Sequence, residues 1–155
     1  MKTNNEIKKQ MPKWKYFIRQ FNYWVVRLLD KNYPLIKDNR CDCHFLVHED
    51  PENKSIVVRY NTRRLGKWPD YMIIAGIFHE IGHIKQRFSA YDTETQMIES
   101  ERDAEIFSIQ MLKTYYPQYL KPVIVWTKRK LKDAKWKKEN LIHWKALIQI
   151  KEYKI

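Results

Sequence analysis

His79-Glu80-Ile81-Gly82-His83 sets two imidazoles four residues apart with a carboxylate between them. On a helix, residues at that spacing share one face, one turn apart, so both rings can hold a single tetrahedral Zn2+. Glu80 lies close to the same face, where it can take a proton from a water that the metal acidifies. That is the work of a general base. The alternative is two histidines on an ordinary amphipathic helix, but the surrounding residues read as helix, as the mechanism demands.

A catalytic zinc needs a third protein ligand and one open position. The next predicted helix offers a candidate. At about 100° per residue, Met97, Ala104, Ser108, Met111, Leu112 and Tyr115 form its buried stripe. Glu101 falls inside that stripe, Glu99 and Asp103 fall opposite, and Glu105 falls at its edge. A core-facing carboxylate is costly unless it is paired or bound to metal, so Glu101 is the expected ligand. Glu105 is the second choice, and a salt bridge to a buried cation is the alternative role for Glu101.

These residues also carry a resemblance. His79-Glu80-Ile81-Gly82-His83 followed by Glu101-Arg102-Asp103-Ala104-Glu105-Ile106-Phe107 resembles the ImmA/IrrE-type metallopeptidase family, over about residues 43–115. Members show H-E-x-G-H and then E-x-x-A-x-x-F. The resemblance implies a zincin-like fold in which His79, His83 and Glu101 bind zinc and Glu80 is the base. It also implies that Ser55–Tyr60 is a strand that aligns the substrate, and that cleavage is limited, as of a regulatory protein. Glu105 stands where members often carry Asn or Asp.

Other residues could contribute. A donor that steadies the oxyanion of the reaction has candidates in His143, Tyr91, Tyr115 and Tyr116, with His143 the first choice. Cys41, Cys43, His44 and His48 suggest a second metal site, but on a strand the thiols face one way and the imidazoles the other. Small buried thiols and histidines at a hairpin edge are the expectation there. Lys128-Arg129-Lys130-Leu131-Lys132, continuing through Lys135, Trp136, Lys137 and Lys138, could hold nucleic-acid phosphates with Trp136 stacked on a base; the alternative is a solvated helix face.

The elements that must position these groups follow from periodicity. Ile7, Met11, Trp14, Ile18, Phe21, Val25 and Leu28 recur at steps of four and three, one apolar helix face starting near Pro12 and ending at Asn32-Tyr33-Pro34. Cys43–His48 and Ser55–Tyr60 read as a β-hairpin around a polar loop, and 61–67 as a basic connector. Pro69-Asp70 opens the helix of the first motif, with Asp70 as its cap, running to about Phe88. Thr93 or Thr95 opens the next helix, which stops before Pro117. After Pro122 a last segment, about 126–150, reads as helical with a weak apolar face. The class is α+β: a small zincin-like domain with an N-terminal helix, a hairpin, the HExxH helix, the third-ligand helix and a basic C-terminal helix.

Composition sets the outer limits. The 155 residues, 44% hydrophobic and 14% aromatic, suit one globular domain over 1–155. The net charge of +12 is uneven: residues 41–120 carry 12 acids against 9 bases, whereas both ends are strongly basic. An acidic middle suits a cation site, and basic ends suit a polyanion. No apolar run follows the charged N-terminus, and none approaches the ~18 residues of a membrane span, so a cytoplasmic protein with no membrane partner and reduced cysteines is expected. The function read from all this is zinc-dependent hydrolysis of peptide bonds in a regulatory or nucleic-acid-associated protein. Its rival is a non-catalytic module that binds nucleic acid or protein on a retained zincin fold.

Overall fold

The computed structural model describes residues 11–86 and 93–154. Expectations for Ile7, Phe88 and Tyr91 lie outside them. The fold is mixed α+β, with seven helices and one three-stranded sheet among the described residues. It divides into two compact units, one of described residues up to Ile74 and the other from Ala75 onward.

In the first unit, helix α1 (Lys13–Leu29) buries Tyr16, Phe17, Phe21, Trp24 and Val25. Of the apolar face expected from periodicity only Phe21 and Val25 are fully buried, while Trp14, Ile18 and Leu28 are half-buried, so the buried face is turned toward the aromatic residues. Phe17 meets Phe45 and Tyr60, with ring centroids 4.6 and 5.9 Å away, so this face covers the sheet. The sheet holds β1 (Leu35–Lys37), β2 (Phe45–Glu49) and β3 (Ile56–Tyr60) in the order β1-β3-β2. The β2–β3 hairpin is antiparallel as expected, with Val47 opposite Val58. The parallel pairing of β1 with β3 was not expected, because three residues after a proline carry too little alternation to read. Its consequence is a correction. β3, the strand that the resemblance marks for substrate alignment, is central and paired on both sides, so the open edges belong to β1 and β2.

The basic connector contains a short helix, α2 (Thr62–Leu65), capped by Asn61, whose side chain accepts from the backbone of Arg63 and Arg64. The Asn61 amide also donates to the carbonyl of Cys41 at 3.0 Å and ties down the segment before β2. That segment is a bend, and β2 starts only at Phe45. The expectation of free, buried thiols is therefore wrong. The bend brings the Cα atoms of Cys41 and Cys43 to 5.3 Å, within disulfide range, and the two half-buried residues are bonded to each other.

Helix α3 (Asp70–Lys85) carries the first motif, and the division between the units falls inside it. Asp70 is its first residue rather than a cap; there it favours the positive helix end and pairs with Lys13 at 2.6 Å. In the second unit, Ile77, Phe78, Ile81 and Ile84 are buried, so α3 is a core helix. Helix α4 (Glu94–Tyr115) begins with a capping box, in which Thr93 Oγ1 accepts from Gln96 N–H while the Gln96 side chain accepts from Thr93 N–H.

The C-terminal region departs from a single long helix. Helix α5 (Pro117–Lys132) starts at Pro117, whose missing N–H costs nothing in a first turn. Asp133 then caps a new helix, α6 (Ala134–Glu139), and α7 (Leu141–Leu147) and a 3-10 turn (Lys151–Tyr153) follow. Ile109, Leu147, Ile150 and Tyr153 form a buried cluster against which Leu120, Ile124, Leu131 and Trp136 pack. Three exposed contacts tie this region to α4: Lys145 with Glu94 at 2.7 Å, Arg102 with Gln149 at 3.1 Å, and Lys113 with Glu152 at 3.1 Å. No helix among the described residues is long and apolar enough to cross a membrane.

Candidate metal centre

The centre is built where α3 and α4 approach closely. A Cβ added at Gly82 would stand 3.0 Å from Ala104 Cα and 3.2 Å from its carbonyl oxygen. Only a hydrogen fits there, so the glycine of the first motif and the alanine of the second set the spacing between the helices. Ser108 locks the pair by donating from Oγ to the Ala75 carbonyl at 2.8 Å.

At that spacing one ligand atom from each of His79, His83 and Glu101 lies within 4.8 Å of the others. The Glu101 carboxylate spans both rings, with Oε2 3.0 Å from His79 Nε2 and Oε1 3.2 Å from His83 Nε2. The structure thus brings together the three expected ligand residues. The opposite ring nitrogens are already held. His79 Nδ1 donates to Glu105 Oε2 at 2.7 Å. Ser100 Oγ donates to Gln86 Oε1 at 2.6 Å, which leaves it to accept from His83 Nδ1 at 3.2 Å. With each Nδ1 held by an anchor, each Nε2 is turned toward the carboxylate of Glu101. Metal-binding histidines are oriented in this way.

Glu105 was expected at the edge of the buried stripe and is deeper than that. Its side chain is 13% exposed, against 29% for Glu101, because the stripe runs through Ser100, Ala104, Ser108, Ile109 and Leu112, while Met97 and Tyr115 are exposed. The stripe is rotated from its expected position because α4 packs on both α3 and the C-terminal helices. Glu105 is an anchor for His79 here. Its other oxygen accepts from Tyr153 Oη at 2.5 Å, a partner 48 residues away that no spacing in the sequence announces.

The electrostatics are those of buried carboxylates matched to imidazoles. Burial alone would raise both carboxylates, but hydrogen bonds from His79 and His83 hold Glu101 far below its usual range, and His79 holds Glu105 at about 2. Burial would lower His79, yet its bonds to Glu101 and Glu105 leave it well above an ordinary histidine. Burial raises Glu80, which the nearby His79 and His83 only partly offset.

His143, on α7, is the oxyanion candidate that reaches the cluster. Its ring lies 5.5 Å from that of His79, and Nε2 is 3.7 Å from Glu101 Oε2, too far for a hydrogen bond. Nε2 is buried and has no hydrogen-bond partner among the described residues. Burial and the charge of His79 lower this histidine to about 4, so it is neutral near pH 7. Of the tyrosine candidates, Tyr116 stacks on Tyr119 and lies near Phe78, and Tyr115 is exposed.

The Lys-rich stretch is split between two environments. Lys130 turns inward, its Nζ 5.1 Å from the Trp136 ring centroid, and burial lowers it. Trp136 packs on the apolar cluster with its ring 5.7 Å from His143, so it does not present a free face for a base. Arg129, Lys132, Lys135, Lys137 and Lys138 are exposed.

In the first unit, His44 stacks on Trp68 at 3.6 Å and His48 Nε2 accepts from Arg59 Nε at 3.1 Å. With the cysteines bonded to each other, the four residues do not converge. Among the described residues, the groups able to hold a metal all include His79.

No protein-family model, curated protein or solved structure matches the chain.

Proposed function

We propose that the protein is a zinc-dependent peptidase of the ImmA/IrrE type that makes limited cuts in a regulatory or nucleic-acid-associated protein. The observation that carries this reading is the donor set: two anchored imidazoles and one carboxylate converge, with Glu80 within electrostatic reach of all three. Two nitrogens and one oxygen suit zinc and leave one position for chemistry, and the buried Nε2 of His143, without a hydrogen-bond partner among the described residues, lies 3.7 Å from Glu101 Oε2. When bound there, zinc would polarise the scissile carbonyl and acidify a water.

The chain's own groups do the rest. Burial makes Glu80 a stronger base than an exposed glutamate, so it takes the proton of the attacking water and passes it to the leaving amine. Neutral His143, with its hydrogen on Nε2, donates to the carbonyl oxygen as that oxygen gains negative charge. Glu105 and Ser100 keep the two ligand rings from turning. The exposed cations of α5 and α6 favour a substrate that sits on nucleic acid.

Glu80→Gln tests the reading, since the amide keeps the side-chain shape but cannot accept the proton. Zinc content should be unchanged, and cleavage should fall by ~10²–10⁴-fold. The measurement compares new protein termini after wild type or variant, both zinc-loaded, is incubated with a cell lysate. Termini made only by wild type support the peptidase. Identical patterns from the two proteins would sink it and put the binding module in front.

A further inference from the structure

We propose that Tyr153 is a positioning residue of the metal centre: its hydroxyl fixes Glu105, and Glu105 in turn fixes the His79 ring toward the ion. The inference rests on the metal-binding reading above and concerns what sets the affinity of that site.

The geometry is an unbroken chain of short contacts. Tyr153 Oη donates to Glu105 Oε1 at 2.5 Å, and Glu105 Oε2 accepts from His79 Nδ1 at 2.7 Å. His79 Nε2 then faces Glu101 at 3.0 Å. The buried Thr127 hydroxyl hydrogen-bonds to the same Tyr153 hydroxyl, so that group is fixed by two partners. A buried carboxylate is costly wherever an oxygen lacks a donor. Glu105 meets that cost with one protein donor per oxygen, its side chain being only 13% exposed. Without the phenol hydroxyl, Oε1 would be left bare, and the carboxylate would rotate or withdraw in search of a donor. His79 would lose the fixed partner that keeps its Nε2 aimed at the ion.

The packing of Tyr153 separates this role from simple core filling. Its ring is buried with Ile109, Leu147 and Ile150, contacts that phenylalanine would make equally well. Only the hydroxyl reaches Glu105. The 3-10 turn Lys151–Tyr153 is held against α4 by Lys113–Glu152, and so it acts as a strap whose one polar atom enters the metal centre.

The test is Tyr153→Phe in the full chain, with zinc affinity read by competition against a chromophoric chelator and ligand geometry read from the visible absorption of the cobalt(II) form. Loss of such an outer partner should weaken zinc by roughly 10–100-fold and shift the cobalt bands. The folding of the metal-free protein, followed by circular dichroism, should be retained. The pair Tyr153→Phe and Glu105→Gln should be no worse than Glu105→Gln alone, because the hydroxyl acts through that carboxylate. Wild-type affinity and an unshifted cobalt spectrum in Tyr153→Phe, or additive losses in the pair, would overturn the proposal and leave zinc binding intact. Wild type that binds no zinc would overturn the metal reading itself. Should Tyr153→Phe not fold, hydrogen exchange in wild type decides: by linkage, zinc must protect the amides of 150–153, and unchanged protection rejects the role.

Discussion

Residues 41–48 and 79–105 both concentrate metal-type side chains, yet only the second group makes a site. In the first, Cys41, Cys43, His44 and His48 lie within eight positions and still do not converge. The bend lets the sulfurs bond to each other, Trp68 takes the His44 ring, and Arg59 takes His48. In the second, the ligands come from two helices and are 22 positions apart at the widest, but Gly82 and Ala104 let those helices close until three ligand atoms meet. Proximity in sequence is neither needed nor enough. What matters is a shared face, a close approach and an anchor behind each ring.

The largest test of this difference removes donors from each group in turn. His79→Ala, His83→Ala or Glu101→Ala should each abolish stoichiometric zinc binding near neutral pH, measured by elemental analysis after dialysis. Cys41→Ser with Cys43→Ser should leave zinc content unchanged. Zinc lost with the cysteines, or full occupancy in Glu101→Ala, would erase the contrast; Glu105 would be tested next in the latter case.

A smaller effect should follow from spoiling the close approach alone. Gly82→Ala gains about 0.5–1 kcal/mol of helix propensity. Against this stands a methyl 3.0 Å from Ala104 Cα, a backbone atom that cannot swing aside. Overpacking of this kind costs typically 1–3 kcal/mol, so the clash should win. The expected outcome is a lower melting temperature together with weaker zinc binding, since Glu101 moves with α4. A variant with a raised melting temperature and unaltered zinc affinity would show that the spacing is slack.

How much of this was legible in the sequence follows from the same contrast. The helix face of His79 and His83 could be read because helical spacing alone puts the rings together. Glu101 could be read because a carboxylate on an apolar stripe needs a reason. The depth of Glu105 could not, since the stripe rotates with what α4 packs against. Ser100 offered a weak signal, standing four residues before Ala104 on the buried side. Tyr153 offered none, because its partner is fixed only by how the last turn folds back. Strand β1 is too short to show a period, and the cysteines sit on a bend that alternation alone does not distinguish from a strand. In each case local order was visible and the packing between elements was not.

The smallest expected effect is a pH dependence confined to the second group. Without metal, His79 is held well above its ordinary value of 6.5 by Glu101 and Glu105. Its contribution to folding is therefore complete below about 6.5 and is lost as pH rises through the elevated value. Glu105 has the opposite sign: held at about 2 against an ordinary 4.5, it contributes above 4.5 and is lost as pH falls toward 2. These two groups together support the metal-free protein best between about pH 4.5 and 6.5, whereas His143, lowered to about 4, and Glu80, raised by burial, have the opposite sign within that range. Zinc requires the nitrogen that the proton occupies, so binding releases that proton, and apparent affinity climbs by up to about tenfold per pH unit until His79 is neutral. Stabilisation by a ligand grows with the logarithm of its affinity, so a fixed zinc concentration should raise the melting temperature more at pH 8 than at pH 6. The thermal shift is measured at several pH values for wild type and for Glu105→Gln, which removes one of the two charges raising His79. The variant should show a flatter dependence, because less of its His79 is protonated to begin with. An equal slope in the two proteins would mean that Glu105 does not govern the His79 proton, whereas a zinc shift independent of pH in wild type would mean that the ion and the proton do not compete for His79 at all.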